Sequence, residues 1–138
     1  MRVIALDIGE KRIGVAAGDT ASGIATPVCV LPAAEVTGRS RTWLSVLADE
    51  EPEMLVCGLP LTLSGGEGPQ AARVREMAGE IAQAADLPLE FADERLSSSE
   101  AKRVLREQGL SERQMRGRLD SVAASLTLES WLASHPAP

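Results

Sequence analysis

At 138 residues, 44% hydrophobic and 25% charged, the chain has the size and composition of one globular domain burying roughly two-thirds of its extended surface. A net charge of −6 argues against a protein basic all over, and no apolar run approaches the roughly 20 residues needed to span a bilayer. A single histidine, His135 in the terminal "SHPAP", and two distant cysteines, Cys29 and Cys57, in apolar runs disfavour Ser-His-Asp or Cys-His chemistry and a zinc site.

The predicted elements begin with "RVIALDI", residues 2–8, a strand apolar on both faces and therefore central in its sheet. "KR" is a turn, and "RIGVAAGD" returns antiparallel. "GIATPVCVLP" is a third strand, whose Pro27 suits an edge or a bulge. "GRSRTWLSVLADEEP" has Trp43, Leu44, Leu47 and Ala48 at helical spacing and stops before Pro52. "EMLVCGLP" is a short buried strand, and "LTLSGGEG" a flexible loop. "PQAARVREMAGEIAQAA" is a helix with Pro69 in its first turn, and "LPLEFADE" a fifth strand. In "SSSEAKRVLREQG" a helix starts at a Ser97–Glu100 capping box and ends at Gly109. "LSERQMRGR" reads as a basic connection and "LDSVAASLTLESWLAS" as a closing amphipathic helix. The expected fold is α/β: a mixed five-stranded sheet, its first three strands a meander, flanked by helices. Residues 1–134 form one domain in this reading, with 135–138 a short tail.

Charge is unevenly distributed. Residues 35–90 carry ten acids and four bases, whereas residues 93–119 carry seven bases and five acids. A phosphate-binding surface is expected in the later stretch. Three aromatic residues, Trp43, Phe91 and Trp131, are too few for base-stacking recognition.

Three acidic positions stand out. Asp7 shares a face with Val3 and Ala5 near the sheet's centre line; a carboxylate there needs a cation or hydrogen bonds, and Lys11 or Arg12 across the turn could serve. Asp93, Glu94 and Arg95 fall where the fifth strand ends, the edge at which open α/β sheets bind ligands, although acids there also suit the next helix's N-terminus. Asp120 opens the last helix, where an N-cap alone would explain it. If that helix packs on the sheet, acids from all three segments can meet. Mg²⁺ or Mn²⁺ takes such oxygen ligands, and ion pairs roughly 3.5–4 Å apart assist phosphodiester hydrolysis.

With "LDIGEKRIGVAAGD", "VCGLPLTLSGGEG", "FADERLSSSEA" and "LDSVAASLTLESWL" in this order, the chain resembles the YqgF (RuvX-type) family over nearly its whole length. These are ribonuclease H-like proteins assigned to pre-16S rRNA processing and related to Holliday junction resolvases. The resemblance implies a cytoplasmic, divalent-metal-dependent endonuclease with Asp7, Glu94 and Asp120 as catalytic and metal-binding carboxylates. It also implies that Lys11, Arg12 and Arg95 face phosphate, and that Gly58, Pro60, Gly65 and Gly66 form a segment beside the site. Two departures stand out: "SSS" follows "DERL" where the family has Thr, leaving the hydroxyl of Ser97, and "SERQMRGR" replaces a lysine-rich stretch.

"DIGEKRIG" is also similar to the phosphate loop of actin-like and sugar kinases, which need a second lobe. "GEGPQA" satisfies GxGxxA but is separated from its strand, where a dinucleotide fold needs the turn at once. A non-catalytic binding module, its acids merely capping helices, is the remaining alternative. The expected partner is nucleic acid, pre-rRNA or branched DNA, with no membrane; monomer and homodimer both remain open.

Overall fold

The computed structural model describes residues 1–62, 64–93 and 97–138, with side chains throughout these ranges apart from those of residues 97–100, 102, 112 and 116. Five strands form one sheet: β1 (Arg2–Ile8), β2 (Arg12–Asp19), β3 (Ala25–Pro32), β4 (Met54–Leu59) and β5 (Leu89–Asp93). Their spatial order is β3-β2-β1-β4-β5. β1–β2 and β2–β3 pair antiparallel, whereas β1–β4 and β4–β5 pair parallel. The meander and the two helical crossovers thus give the expected mixed sheet.

β1 is apolar on both faces because it is the middle strand and both faces are covered. Ile4, Leu6 and Ile8 point into the larger core with Ile13, Val15, Trp43, Leu55, Val74 and Ile81. That side is closed by α1 (Ala33–Thr37), α2 (Arg41–Glu50) and α3 (Pro69–Ala85). Val3 and Ala5 point the other way, with Ala16 and Val56, and are covered by Ala124, Leu128, Trp131 and Leu132 of α6 (Leu119–Ser134). α4 (Ser97–Glu107) and α5 (Glu112–Arg116) pack on the outer side of α6 through Ala101, Leu105 and Met115, which meet Val122 and Ala123.

Local chemistry accounts for the element boundaries. Pro27 lies on the edge strand and at a bulge, since Val15 pairs with Cys29 but Ala16 with Pro27, leaving Val28 as the extra residue. The Ser40 side chain caps α2 by accepting the Trp43 N–H at 3.3 Å. Pro69 occupies the first turn of α3, where its missing N–H has no intrahelical partner to lose. After α4, Gly109 takes φ +77°, and its N–H reaches the Arg106 carbonyl at 2.9 Å.

Three features depart from expectation. The short helix α1 follows Pro32 directly. The basic connection contains α5, opened by a capping box in which the Ser111 side chain accepts the Gln114 N–H and the Gln114 side chain accepts the Ser111 N–H. The closing helix is not amphipathic: with the sheet on one side and α4 and α5 on the other, it buries Val122, Ala123, Ala124, Thr127, Leu128 and Leu132 around its circumference. The Ser97–Glu100 capping box lies outside the described side chains. No helix among the described residues is long and apolar enough to cross a membrane.

Candidate active site

β1 delivers Asp7 to the C-terminal end of the central strand, half-buried and on the face covered by α6. On one side its ladder partner is Gly14 of β2. On the other, β4 pairs in register up to Leu6 with Cys57, so Gly58 comes level with Asp7. The carboxylate therefore stands between two residues without side chains.

Gly14 also seats the last helix. A β-carbon at this position would lie 2.0 Å from the Asp120 carbonyl oxygen and 2.7 Å from the Ser121 nitrogen. Only a glycine lets the first turn of α6 come this close to the strand. The same face of β2 continues as Ala16 and Gly18, and a β-carbon on Gly18 would lie 3.0 Å from Leu132 and 3.1 Å from Leu128. This flat lane of small residues fixes where α6 lies. Because Asp7 is directly opposite Gly14, and Asp120 is packed against Gly14, the two acids come to one corner of the sheet.

Asp120 is not the helix cap: Arg118 occupies that position without a side-chain cap bond, and Asp120 lies in the first turn beyond it. Its carboxylate is 24% exposed, and its Oδ2 stands 3.3 Å from Nε of Arg12. Gly9, Glu10, Lys11, Arg12 and Asp120 line an open cleft of about 590 Å³ there. Glu10 and Lys11 form the tip of the β1–β2 turn, closed by the Gly9 N–H donating to the Arg12 carbonyl at 2.8 Å.

The fifth strand ends at Asp93, which pairs with Leu59 beside Gly58. Glu94 and Arg95 lie outside the described residues, so the structure does not place the third proposed carboxylate. Ser97 begins α4, and its side chain is likewise outside the described set. Among the described residues no three His, Cys, Asp or Glu side chains form a metal cage. What the structure places is Asp7 at the end of β1 and the first turn of α6, with Asp120, against the strand position opposite it; carboxylates are the donor type for a cation that takes one or two protein ligands and completes its shell with water and phosphate.

The Gly-rich segment follows β4 and Pro60 and folds on itself. Leu61 and Glu67 form an isolated antiparallel bridge, the Gly66 N–H donates to the Thr62 hydroxyl at 3.1 Å, and Gly65 has φ +88°. Glu67 then binds Arg75 of α3 through both carboxylate oxygens, at 2.5 and 2.8 Å. These bonds hold the Glu67 carboxyl below its usual range and raise Arg75. The Arg75 guanidinium lies 4.5 Å above the Phe91 ring of β5, which ties the loop to the strand leading towards Glu94. This anchor, like the glycine lane of β2, escaped sequence reasoning. A glycine at alternate positions inside an apolar strand was the available signal.

The RuvX family model, described as Holliday junction resolvase, matches residues 1–134. The chain belongs to the RuvX family. Relatives named as candidate pre-16S rRNA nucleases include one from Acaryochloris marina, 39% identical over 96% of this chain and 92% of its own length. Another, from Anaeromyxobacter sp., is 41% identical over 96% of both chains. Among solved structures, RuvC of T. thermophilus in complex with Holliday junction substrate superposes with a TM-score of 0.55 at 17% identity, covering 97% of this chain and 95% of that one. The fowlpox virus Holliday junction resolvase gives 0.55 at 14% identity, covering 97% and 99%. At such identities the likeness establishes the fold, which is ribonuclease H-like.

Proposed function

We propose that this RuvX-family protein is a divalent-metal-dependent endonuclease that hydrolyses phosphodiester bonds in structured nucleic acid, acting in the cytoplasm on the 5′ region of pre-16S rRNA. The observation that carries the proposal is the seating of the first turn of α6, which holds Asp120, on Gly14, the ladder partner of Asp7 at the end of the central strand. Family membership supports nuclease chemistry, and the names of relatives about 40% identical support an rRNA precursor as substrate.

In this reading Asp7, Glu94 and Asp120 hold Mg²⁺ or Mn²⁺. Such a cation, when bound, supplies Lewis-acid polarisation of the phosphate and lowers the pKa of water. The chain supplies placement. Asp7 is carried by the central strand, paired to β2 on one side and to β4 on the other, and Asp120 by the helix packed on Gly14. In this reading Lys11 and Arg12 of the β1–β2 turn receive the scissile and neighbouring phosphates, Arg95 is assigned the same role from the family resemblance, and the exposed Arg103, Arg106, Arg113 and Arg118 extend a basic track along the duplex backbone. Under the same proposal Gly58, Pro60 and the Gly65–Gly66 loop that follows β4 flank the bound nucleic acid. Binding through so many phosphate contacts should weaken steeply with salt.

The direct test is cleavage of an rRNA precursor fragment and of a four-way DNA junction by wild type and Asp7→Asn, each with Mg²⁺, Mn²⁺ or chelator. Asp7→Asn should abolish cutting while nucleic-acid binding survives, and chelator should silence the wild type. Normal cutting by Asp7→Asn would overturn the assignment. A Holliday-junction role has its own support in the description of the family model. It would require two copies of the chain about a two-fold axis, to cut opposite strands symmetrically. Preferential, paired cleavage of the junction would favour it over rRNA processing.

A further inference from the structure

The contact between Arg12 and Asp120 is a single-point ion pair at 3.3 Å, with the arginine side chain 56% exposed and the carboxylate 24% exposed. It has no evident structural task. The start of α6 is already located by Gly14, and its body by Ala124, Leu128 and Trp131. A surface pair of this kind contributes little to stability and is readily exchanged. Yet the arginine stands on a carboxylate that lines the cleft together with Glu10 and Lys11.

We infer that Arg12 is a positioning residue that occupies Asp120 while the protein is free of nucleic acid and leaves it for a backbone phosphate when nucleic acid arrives. This rests on the reading of Asp120 as a cation ligand and adds an order of events to it. In the free protein the guanidinium competes with a divalent cation for the same carboxylate, so the cation binds weakly. A phosphate entering the cleft draws Arg12 away, because a guanidinium makes stronger paired hydrogen bonds to phosphate than its single contact here. The charges agree: among the described lining residues two acids and two bases balance, a divalent cation leaves them at net +2, and each backbone phosphate that enters takes one of those charges away. Cation and substrate therefore favour each other's binding, and by linkage each raises the other's affinity equally.

The test compares wild type, Arg12→Gln and Asp120→Asn as full-length proteins. Mn²⁺ binding to each free protein is followed by electron paramagnetic resonance, and binding of an rRNA precursor fragment is measured without metal at several salt concentrations. Arg12→Gln should bind Mn²⁺ about three- to fivefold more tightly than wild type, the range expected for releasing a surface ion pair. It should bind the RNA more weakly, with a salt slope shallower by about one. Unchanged or weaker Mn²⁺ binding by Arg12→Gln, or an unchanged salt slope, would overturn the exchange. Asp120→Asn separates the two layers. If it binds Mn²⁺ as wild type does, Asp120 is not a ligand and the underlying site assignment falls. If it loses Mn²⁺ while Arg12→Gln matches wild type, only the exchange falls. Matching thermal unfolding curves would exclude loss of fold, as expected for so exposed a side chain.

Discussion

Gly14→Ala is the sharpest probe of how the site is assembled. The added β-carbon would lie 2.0 Å from the Asp120 carbonyl oxygen and 2.2 Å from its carbonyl carbon, where ordinary contact begins at 3.4 Å. Both neighbours are backbone, so no side chain can swing aside, and the first turn of α6 has to retreat by about 1 Å or more. Overpacking of this kind costs about 1–3 kcal/mol, which for a chain this long lowers the unfolding midpoint by roughly 3–10 °C. The activity should suffer far more than the stability. Asp120 moves with the helix while Asp7 stays with the strand, and a displacement of about 1 Å at a reacting centre reduces rate on the order of 10²-fold. Initial rates of cleavage, measured well below the midpoint and paired with calorimetry, check both numbers. Gly79→Ala is the control. A β-carbon there, inside α3, would meet nothing within 4 Å, so it should stabilise by about 0.5–1 kcal/mol with no change in rate. If Gly14→Ala cuts at the wild-type rate, close seating of α6 does not set the active geometry and the reasoning is refuted.

The remaining predictions concern the two sides of the sheet. Trp43→Ala empties a site that is 2% exposed in the core opposite α6; it should cost about 3–5 kcal/mol while leaving the cleavage rate of the folded protein unchanged. Chemical denaturation would show the first, and a large rate loss below the transition would contradict the second. The Glu67–Arg75 pair predicts a pH dependence. Because the folded state holds the Glu67 carboxyl low through its bonds to Arg75, its contribution is present above the usual carboxylate range and is lost as pH falls through the depressed value. Wild type should therefore melt above Glu67→Gln near neutrality, with the gap closing in acid; a gap independent of pH would exclude the ion pair as its source.

Much of the architecture was legible in the order of residues because it follows from local rules. Period-two and apolar runs marked all five strands, and their middle member could be named because β1 is apolar on both faces. Pro27 announced the edge and its bulge, Pro69 announced a helix start, and Gly109 announced a helix end, since each acts on backbone groups within one turn of itself. Even α5 was within reach, as Ser111 and Gln114 stand at capping-box spacing. The misreading of α6 has a different origin. Its buried faces are created by β1, β2, α4 and α5, segments distant along the chain, so its own periodicity could not reveal that it is enclosed.

The residue types at the site, an acid within an apolar strand and an acid at a helix start, were visible in the sequence, each with an ordinary explanation beside it. Composition and spacing could not decide between those explanations. Tertiary structure removed one, by making Arg118 and not Asp120 the cap, and supplied the reason the two segments that carry these acids meet. A helix can approach a strand only as closely as the intervening side chains allow, and Gly14 and Gly18 have none. Local backbone preferences are written residue by residue in the chain. The distance between Asp7 and Asp120 is set by close packing of segments more than a hundred residues apart, and it exists only once they have met.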